Sequence, residues 1–241
     1  MKKSVRIIII SAACLAGACV AGMAITGWQI NWGPVSFLFK GYESEVAAIE
    51  KKYDSSTRKG EIVFYGASNF RLWTEMENDL APFPVQNHGF GGSTDKMLVQ
   101  YADRILYPYE PEIIFFQTGS NDYVGLSGSD EEKIAVCMEY KKYMYELFHE
   151  KLPEAKFVVM SGLLLPGRSE YTALTQELNR QLAAFCEEKD YMIFADASEM
   201  TYDGSSYRSE LFIDDGIHLN HDGLLLWANN YILPVLKQLY E

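Results

Sequence analysis

A serine lies where a predicted strand passes into a predicted helix. The apolar run Ile62 to Tyr65 is followed by Gly66, Ala67 and Ser68, and helix-like sequence begins at once. A turn of this kind holds a hydroxyl at the edge of a sheet, where it can act as a nucleophile. The same turn also occurs as a plain connection, so a catalytic Ser68 requires partner residues elsewhere in the chain.

A histidine near the C-terminus has a carboxylate three residues before it. Asp215 precedes His218 in a short loop that contains Gly216. This spacing lets the carboxylate hold one ring nitrogen while the other accepts a proton from a serine hydroxyl. The sequence therefore predicts Asp215 as the orienting acid and His218 as the general base, with Asp214 and His221 as the alternatives.

Two loops offer hydrogen-bond donors to a developing oxyanion. Three glycines lie between Asn87 and Thr94, where backbone N–H groups can approach a ligand closely. Asn121 follows another apolar run, and its amide donates without bringing a charge. The plain alternatives are a Gly-rich turn that feeds a helix and an asparagine that caps a turn. A phosphate-binding loop is not favoured, because neither the dinucleotide-binding spacing nor a Gly-Lys-Ser/Thr ending is present.

Apolar runs alternate with amphipathic stretches from Glu61 to the end of the chain. This alternation predicts one three-layer α/β/α domain with a parallel sheet between two layers of helices. The predicted strands are Ile62 to Tyr65, Pro84 to Asn87, Ile113 to Gln117, Phe157 to Gly162 and Met192 to Ala195. The predicted helices are Tyr42 to Tyr53, Phe70 to Leu80, Thr94 to Tyr107, Asp130 to Lys151, Ser169 to Lys189 and His221 to Tyr240. Because ligands bind at the carboxyl ends of such strands, the candidate residues are expected to meet there.

Residues 1–28 are predicted to form a transmembrane or signal helix. Lys2, Lys3 and Arg6 precede an apolar run from Ile7 to about Trp28. A run of roughly 20 residues can cross a bilayer core and exceeds the centre of a typical cleaved signal, so an uncleaved anchor is favoured over a signal peptide. The charges place the remainder outside the cytoplasmic membrane, or in the medium if the segment is cleaved. The predicted organisation is this segment at 1–28, a linker and short helix at 29–60 and the α/β domain at 61–241.

Composition and charge restrict the classes of function. With 241 residues, 48% of them hydrophobic, the chain can bury a full core. Its net charge of −12 argues against nucleic acid as a partner. Two of the four cysteines lie in the N-terminal apolar run, and Cys137 and Cys186 lack the spacing of a disulfide framework or a zinc site. We expect no cofactor and no metal ion.

Four short blocks follow one another in the order Gly-x-Ser, Asn-x-Gly-x-Gly-Gly, Gly-x-Asn-Asp and Asp-x-x-His. In this order they resemble the SGNH or GDSL hydrolase superfamily, over a stretch from about Glu61 to the C-terminus. The segment NHGFGGST, together with LLLPGR at Leu163 to Arg168, is most similar to sequences of the platelet-activating-factor acetylhydrolase-like esterase branch. The resemblance implies the flavodoxin-like SGNH hydrolase fold, with a five-stranded parallel sheet.

The resemblance also assigns roles to the matching positions. By this resemblance, the nucleophile is Ser68, the triad acid is Asp215 and the triad base is His218. The two oxyanion-hole donors are Gly92 and Asn121. The usual Gly-Asp-Ser-Leu reads Gly-Ala-Ser-Asn here, so Ala67 replaces an acid. Since the triad acid is in the last loop, the implied chemistry survives this change.

The implied activity is that of an extracytoplasmic serine ester hydrolase that removes a small acyl group, expected to be acetyl, from a carbohydrate. The alternatives are a lipase or lysophospholipase-type esterase on lipids, a non-catalytic cell-wall-binding protein with the same fold, and a flavodoxin-like cofactor protein. The last is disfavoured, because nothing in the first turn resembles a phosphate cradle. Trp73, Arg71 and Tyr123 are the candidate substrate-binding residues, although such aromatic residues also suit a core. Arg71 and Arg168 suit either an anionic substrate or surface ion pairs.

Overall fold

The computed structural model describes residues 33–240, and their side chains from residue 42 onward. The chain divides into two units, Met1–Gly41 and Tyr42–Glu241. The transmembrane or signal helix predicted at 1–28 lies outside the described residues and stays a prediction. Among residues 33–240, no helix combines the length and the apolar character needed to cross a membrane.

Five parallel strands form one sheet in the order β2-β1-β3-β4-β5. The strands are β1 (Ile62–Gly66), β2 (Val85–Gly89), β3 (Ile113–Gln117), β4 (Lys156–Met160) and β5 (Met192–Ala195). Every residue of β1 and β3 is buried, as expected of strands covered by helices on both faces. The predicted five-stranded parallel sheet is therefore confirmed.

Helices cover both faces of the sheet. Their bounds are α1 (Gly33–Lys52), α2 (Ser68–Arg71), α3 (Met76–Asp79), α4 (Asp95–Ile105), α5 (Ser120–Tyr123), α6 (Asp130–Lys151), α7 (Thr172–Glu187), α8 (Ser198–Thr201), α9 (His221–Trp227) and α10 (Leu233–Tyr240). Short 3-10 segments lie at Tyr107–Tyr109, Pro166–Tyr171 and Ser209–Leu211, and a π-helical turn at Ala228–Ile232 joins α9 to α10.

The helix predicted from Phe70 to Leu80 is two short helices, α2 and α3. The side-chain amide of Asn87 explains the interruption, because it donates to the carbonyl oxygens of Phe70 at 2.6 Å and Trp73 at 3.1 Å. The same carbonyls accept backbone N–H groups from only three residues further on, Trp73 at 2.9 Å and Met76 at 3.4 Å, as at the end of a helix. The prediction missed the break because its cause lies on a neighbouring strand.

The first and last helices also differ from their predicted bounds. Helix α1 begins at Gly33 and not at Tyr42, so part of the predicted linker is helical. Pro34 is tolerated because it lies in the first turn, where the backbone N–H has no intrahelical partner. The predicted helix from His221 to Tyr240 contains a π-helical turn before α10, whose first turn includes Pro234.

Two apolar layers enclose the sheet. Side chains of α1, α4, α6 and α7 pack on one face, and those of α2, α3, α9 and α10 pack on the other. Strand β1 serves both layers by alternation, with Val63 and Tyr65 in the first and Ile62 and Phe64 in the second.

The C-terminal part of α1 belongs to this core. Val46, Ile49 and the following Tyr53 are all buried. The hydroxyl of Tyr53 accepts the backbone N–H of Asn87 on β2 at 3.0 Å. The compact unit thus includes residues 42–60, which the sequence predicted as linker and short helix.

Candidate active site

Close contact between the carboxyl ends of β1 and β3 positions the Ser68 turn. A Cβ on Gly66 would lie 2.3 Å from the carbonyl oxygen of Gln117, so only glycine permits this approach. The N–H of Ala67 donates to the same oxygen at 2.9 Å. Ser68 follows as the first residue of α2.

Ser68, His218 and Asp215 form a continuous hydrogen-bonded line. Nε2 of His218 lies 2.8 Å from Oγ of Ser68, and Nδ1 lies 2.6 Å from Oδ2 of Asp215. An ionised carboxylate can only accept, so Nδ1 carries the proton and the lone pair of Nε2 faces the serine hydroxyl. This is the geometry of a Ser-His-Asp triad.

Asp215 is held in its ionised form. Partial burial by itself raises the pKa of this carboxyl. The backbone N–H of His218, its ring and the N–H of Ile217 outweigh that effect and bring the pKa below its ordinary value. The two N–H groups donate to Oδ1 at 3.0 Å and 2.8 Å, which leaves Oδ2 for the imidazole. One carboxylate therefore folds the loop and orients the base.

The predicted alternatives take no part in this line. Asp214 is exposed, and within the described residues it makes no hydrogen bond to His218. His221 is exposed at the start of α9 and does not line the cavity around Ser68.

Asn69 ties the His218 loop to the serine turn. Its side-chain oxygen accepts the backbone N–H of Leu219 at 3.0 Å, and both residues are buried. The other side of the loop rests on Gly167, whose N–H donates to the carbonyl of Gly216 at 2.9 Å. A Cβ on Gly167 would lie 2.4 Å from the carbonyl oxygen of Asp215, so the contact requires glycine.

Donors converge on the same cavity. Ser68, Gly92 and Asn121 all line it. Gly92 has a φ of +71°, a left-handed conformation that favours glycine. Among the described residues, the backbone N–H groups of Gly92 and Ser68 have no hydrogen-bond partner, so both are available to an oxyanion.

The side-chain amide of Asn121 has a fixed orientation. Nδ2 donates to the carbonyl of Ser93 at 3.1 Å, and Oδ1 accepts from Nη1 of Arg168 at 3.3 Å. Nδ2 carries two hydrogens, so one remains for a ligand. Ser93 in turn donates from its hydroxyl to the carbonyl of Gly66 at 3.1 Å, which links the donor loop to the serine turn.

A model of the GDSL-like Lipase/Acylhydrolase family matches residues 54–224, which is more than half of the chain. The chain belongs to this family. It is accordingly a carboxylic ester hydrolase, and the superfamily predicted from the four sequence blocks is confirmed. No curated protein sequence matches the chain significantly.

Solved structures share the fold of this GDSL hydrolase at low sequence identity. A Streptococcus pneumonia protein provisionally named a platelet activating factor is 18% identical with a TM-score of 0.69, covering 86% of this chain and 95% of that one. A GDSL-like lipase from Bacteroides thetaiotaomicron is 17% identical with a TM-score of 0.59, covering 83% and 95%. A family 3 carbohydrate esterase from Talaromyces cellulolyticus is 18% identical with a TM-score of 0.52, covering 75% and 97%.

The hydrolase has a cavity of about 340 Å³ around Ser68. Of the three predicted substrate-binding residues, Arg71 lines it, with Nε 3.7 Å from a Glu45 carboxylate oxygen. The predictions for Trp73 and Tyr123 need correction, because both are core residues at 1% and 2% exposure and neither lines the cavity. The indole of Trp73 donates to Asp79 at 2.7 Å, and the hydroxyl of Tyr123 bonds Thr175 at 2.7 Å, so their polar groups are already satisfied.

A buried charged cluster includes Asp122, the residue that follows Asn121. Nζ of Lys141 contacts both carboxylate oxygens of Asp95, at 3.1 Å and 2.9 Å, and the hydroxyl of Thr118 at 2.8 Å. Oδ1 of Asp122 accepts the backbone N–H of Asp95 at 2.8 Å, while its Oδ2 is buried without a partner among the described residues. Burial, and then repulsion from Asp95, raise the pKa of Asp122 to about 7 despite the nearby ammonium.

Metal coordination finds no support in the part of the chain that the structure describes, where no group of three or more His, Cys, Asp and Glu side chains could hold an ion. The expected absence of a cofactor stays a prediction. The chemistry of a Ser-His-Asp triad uses only protein side chains and backbone donors.

Sequence reasoning missed two residues of the site. Asn69 was noted only as a departure from the usual leucine, and that departure was the available signal. Glu45, on α1, lines the cavity, and its carboxylate accepts the N–H of Gly91. Nothing in the sequence around Glu45 distinguishes it from the other acids of a charged helix.

Proposed function

We propose that this hydrolase is a serine esterase that removes a small acyl group from an acylated carbohydrate through an acyl-enzyme on Ser68. The expected acyl group is acetyl. The observation that carries the proposal is the hydrogen-bonded line from Oγ of Ser68 through His218 to Asp215. A serine hydroxyl is a weak nucleophile by itself and needs such a base within hydrogen-bond reach.

In the acylation step, His218 Nε2 takes the proton as Ser68 Oγ attacks the ester carbonyl. Negative charge then develops on the carbonyl oxygen, which the N–H groups of Gly92 and Ser68 and the free N–H of Asn121 receive. Collapse of the tetrahedral intermediate expels the alcohol, which leaves with the proton that His218 carried. Asp215 stabilises the imidazolium while it exists.

In the deacylation step, His218 removes a proton from water, which attacks the acyl-enzyme at the same carbonyl. The oxyanion forms again in the same position, so the same donors serve both halves of the reaction. Loss of the serine oxygen releases the free acid, and the proton on His218 returns to Ser68.

The lining of the cavity supports a small, polar substrate. Glycines and polar side chains surround Ser68, and the apolar contribution comes mainly from Leu163, Leu165 and Ile217. A cavity of about 340 Å³ is at the lower end of the range for small-molecule sites. An acetyl ester of a sugar suits this volume and polarity better than a long acyl chain, and the structural neighbours include a carbohydrate esterase.

A location outside the cytoplasm is part of the proposal. It is supported by the order of positive charges and apolar residues in the first 28 positions. Small acyl groups on extracellular or cell-wall glycans would be the substrates within reach of an enzyme so placed.

Hydrolysis of p-nitrophenyl acetate and acetate release from acetylated glycans test the proposal, with Ser68→Ala as the control. We expect the wild type to release acetate from at least one glycan and to leave p-nitrophenyl palmitate almost untouched. Ser68→Ala should be inactive with an unchanged circular dichroism spectrum. Undiminished turnover by Ser68→Ala, or a preference for the palmitate ester, would refute the proposed mechanism or the proposed substrate respectively.

A further inference from the structure

Arg168 differs from the other arginines of this protein in its partners. The described residues include six arginines, and five of them lie within 4 Å of a carboxylate oxygen: Arg58, Arg71, Arg104, Arg180 and Arg208. Arg168 alone among these six has no carboxylate partner in the described part of the chain. In a protein with a net charge of −12, an arginine without a carboxylate oxygen within 4 Å requires an explanation.

The position of Arg168 is fixed by the backbone beside it. Gly167 packs against the loop that carries Asp215 and Gly216. Arg168, the next residue, therefore lies beside the triad loop. Arg168 is half-buried there and lines the cavity together with Ser68.

Most of the guanidinium remains available to a ligand. Nη1 donates to the hydroxyl of Ser120 and to Oδ1 of Asn121, while Nε and Nη2 have no hydrogen-bond partner among the described residues. A guanidinium presents five N–H donors in a planar fork that matches the two oxygens of a carboxylate or phosphate. The fork therefore has a free edge beside the reacting serine.

The other charges at the cavity do not neutralise Arg168. The carboxylate of Glu45 lies 3.7 Å from Arg71 and also accepts the N–H of Gly91. Asp215 is engaged by His218 and by two backbone N–H groups. Among the residues that line the cavity, Glu45 is paired with Arg71, so the guanidinium of Arg168 has no acidic partner within 4 Å and can attract an anionic group.

We propose that Arg168 is a specificity-determining residue that binds an anionic group, a carboxylate or phosphate, carried by the ester that Ser68 attacks. The inference rests on the proposed function and narrows its substrate class to esters with a negative charge near the scissile bond. The charge can belong to the acyl group, as in a half-ester of a dicarboxylic acid, or to the alcohol, as in an acidic sugar.

Two matched pairs of esters distinguish these sources. For the acyl side, mono-p-nitrophenyl succinate is compared with p-nitrophenyl butyrate, which has the same chain length without the charge. For the alcohol side, 4-acetoxybenzoate is compared with 4-acetoxybenzamide, which share the acetyl group. The quantity measured is the ratio of kcat/KM for the charged ester to kcat/KM for the neutral one, in wild type and variants.

We expect the wild type to favour the charged ester in one of the two pairs, and Arg168→Gln to reduce that ratio at least tenfold, whatever it does to the neutral ester. Arg168→Lys, which keeps the charge without the fork, should give an intermediate ratio. Arg180→Gln removes an exposed arginine outside the cavity and should leave the ratio unchanged. Raising the salt concentration should lower the wild-type ratio, which tests the inference without any substitution.

An equal loss of both members of a pair in Arg168→Gln would overturn the inference, because Arg168 would then act only by holding Asn121. A wild-type ratio that neither favours the charged ester nor responds to salt would overturn it as well. In both outcomes the wild type still hydrolyses the neutral esters, and Ser68→Ala does not. Failure of the proposed function is a different result: a wild type inactive on all four esters, or a Ser68→Ala variant that still hydrolyses them.

Discussion

At the scale of single residues, Asn69 connects the two halves of the triad. Replacing it with leucine, the residue usual at this position in the family, would leave the buried N–H of Leu219 without its acceptor. We expect Asn69→Leu to lower the free energy of unfolding by about 1–3 kcal/mol. Because the His218 loop loses its tether to the serine turn, kcat should fall about tenfold or more.

Urea unfolding and steady-state kinetics on the purified variant give both quantities. Unchanged stability together with unchanged kcat would show that Asn69 does not hold the loop.

Asn121 is the candidate side-chain donor of the proposed oxyanion site. We expect Asn121→Ala to reduce kcat about 10²–10³-fold, equivalent to about 3–4 kcal/mol in the barrier, with a smaller effect on KM. The reason is that the amide meets charge that exists only in the transition state. Steady-state kinetics with p-nitrophenyl acetate measure the effect, and a loss under threefold in a folded variant would remove Asn121 from the oxyanion site.

The candidate residues of the site could be predicted from the sequence because they lie in short blocks. Ser68, Asp215, His218, Gly92 and Asn121 are each identified by immediate neighbours along the chain, and the structure brings all five together. Trp73 could not be placed in the same way, because whether an aromatic side chain faces the core or a cavity depends on what packs over it. Its contacts with Phe64 and Trp227 decide the matter.

At the scale of elements, the buried cluster between α4, α5 and α6 should make stability depend on pH. The pKa of Asp122 is about 7 in the folded protein, far above its ordinary value. Between those two values the folded state keeps a proton that the unfolded state has lost. The contribution of Asp122 to stability is therefore fully present below the unfolded pKa and is lost as the pH rises through about 7.

Asp122→Asn removes this titration and keeps an oxygen to accept the N–H of Asp95. We expect the variant to gain stability relative to the wild type as the pH rises from 5 to 8, with a slope of at most about 1.4 kcal/mol per pH unit. Urea unfolding of both proteins across this range is the measurement. A constant difference between the two would show that Asp122 does not titrate there.

Element types were more predictable than element ends. The alternation of apolar and amphipathic stretches depends on burial by whole layers, so the strands and the long helix α6 (Asp130–Lys151) were predicted well. The capping box of Ser129 and Glu132 fixes the start of that helix locally. The break between α2 and α3 depends on Asn87, more than ten residues away, which no local pattern reveals.

At the scale of the whole molecule, the compact unit begins earlier than the predicted α/β domain. A protein that starts at Tyr42 should fold cooperatively and hydrolyse p-nitrophenyl acetate. One that starts at Glu61 lacks the buried Val46, Ile49 and Tyr53, each of which contributes about 1.5–3 kcal/mol by burial. That sum is comparable with the whole stability of a typical domain, about 5–15 kcal/mol.

Thermal unfolding followed by circular dichroism separates the two proteins. A cooperative transition of equal midpoint in the shorter protein would establish the domain start predicted at residue 61.

The overall architecture followed from hydrophobic patterning, whereas the contribution of α1 did not. The sequence predicts a short charged helix at residues 42–53, because five of these twelve residues carry a charge. Burial of one narrow stripe is enough to join it to the core, and that stripe becomes visible only once the sheet it covers is known.

Labelling with a fluorophosphonate, followed by intact-mass and peptide mass spectrometry, tests whether Ser68 is the nucleophile that would form the acyl-enzyme. We expect one adduct per chain, located on the peptide that contains Ser68, with activity lost in proportion to labelling. Ser68→Ala should remain unlabelled while keeping its fold. An adduct on a different residue, or full activity in a protein that does not react, would show that Ser68 is not the nucleophile.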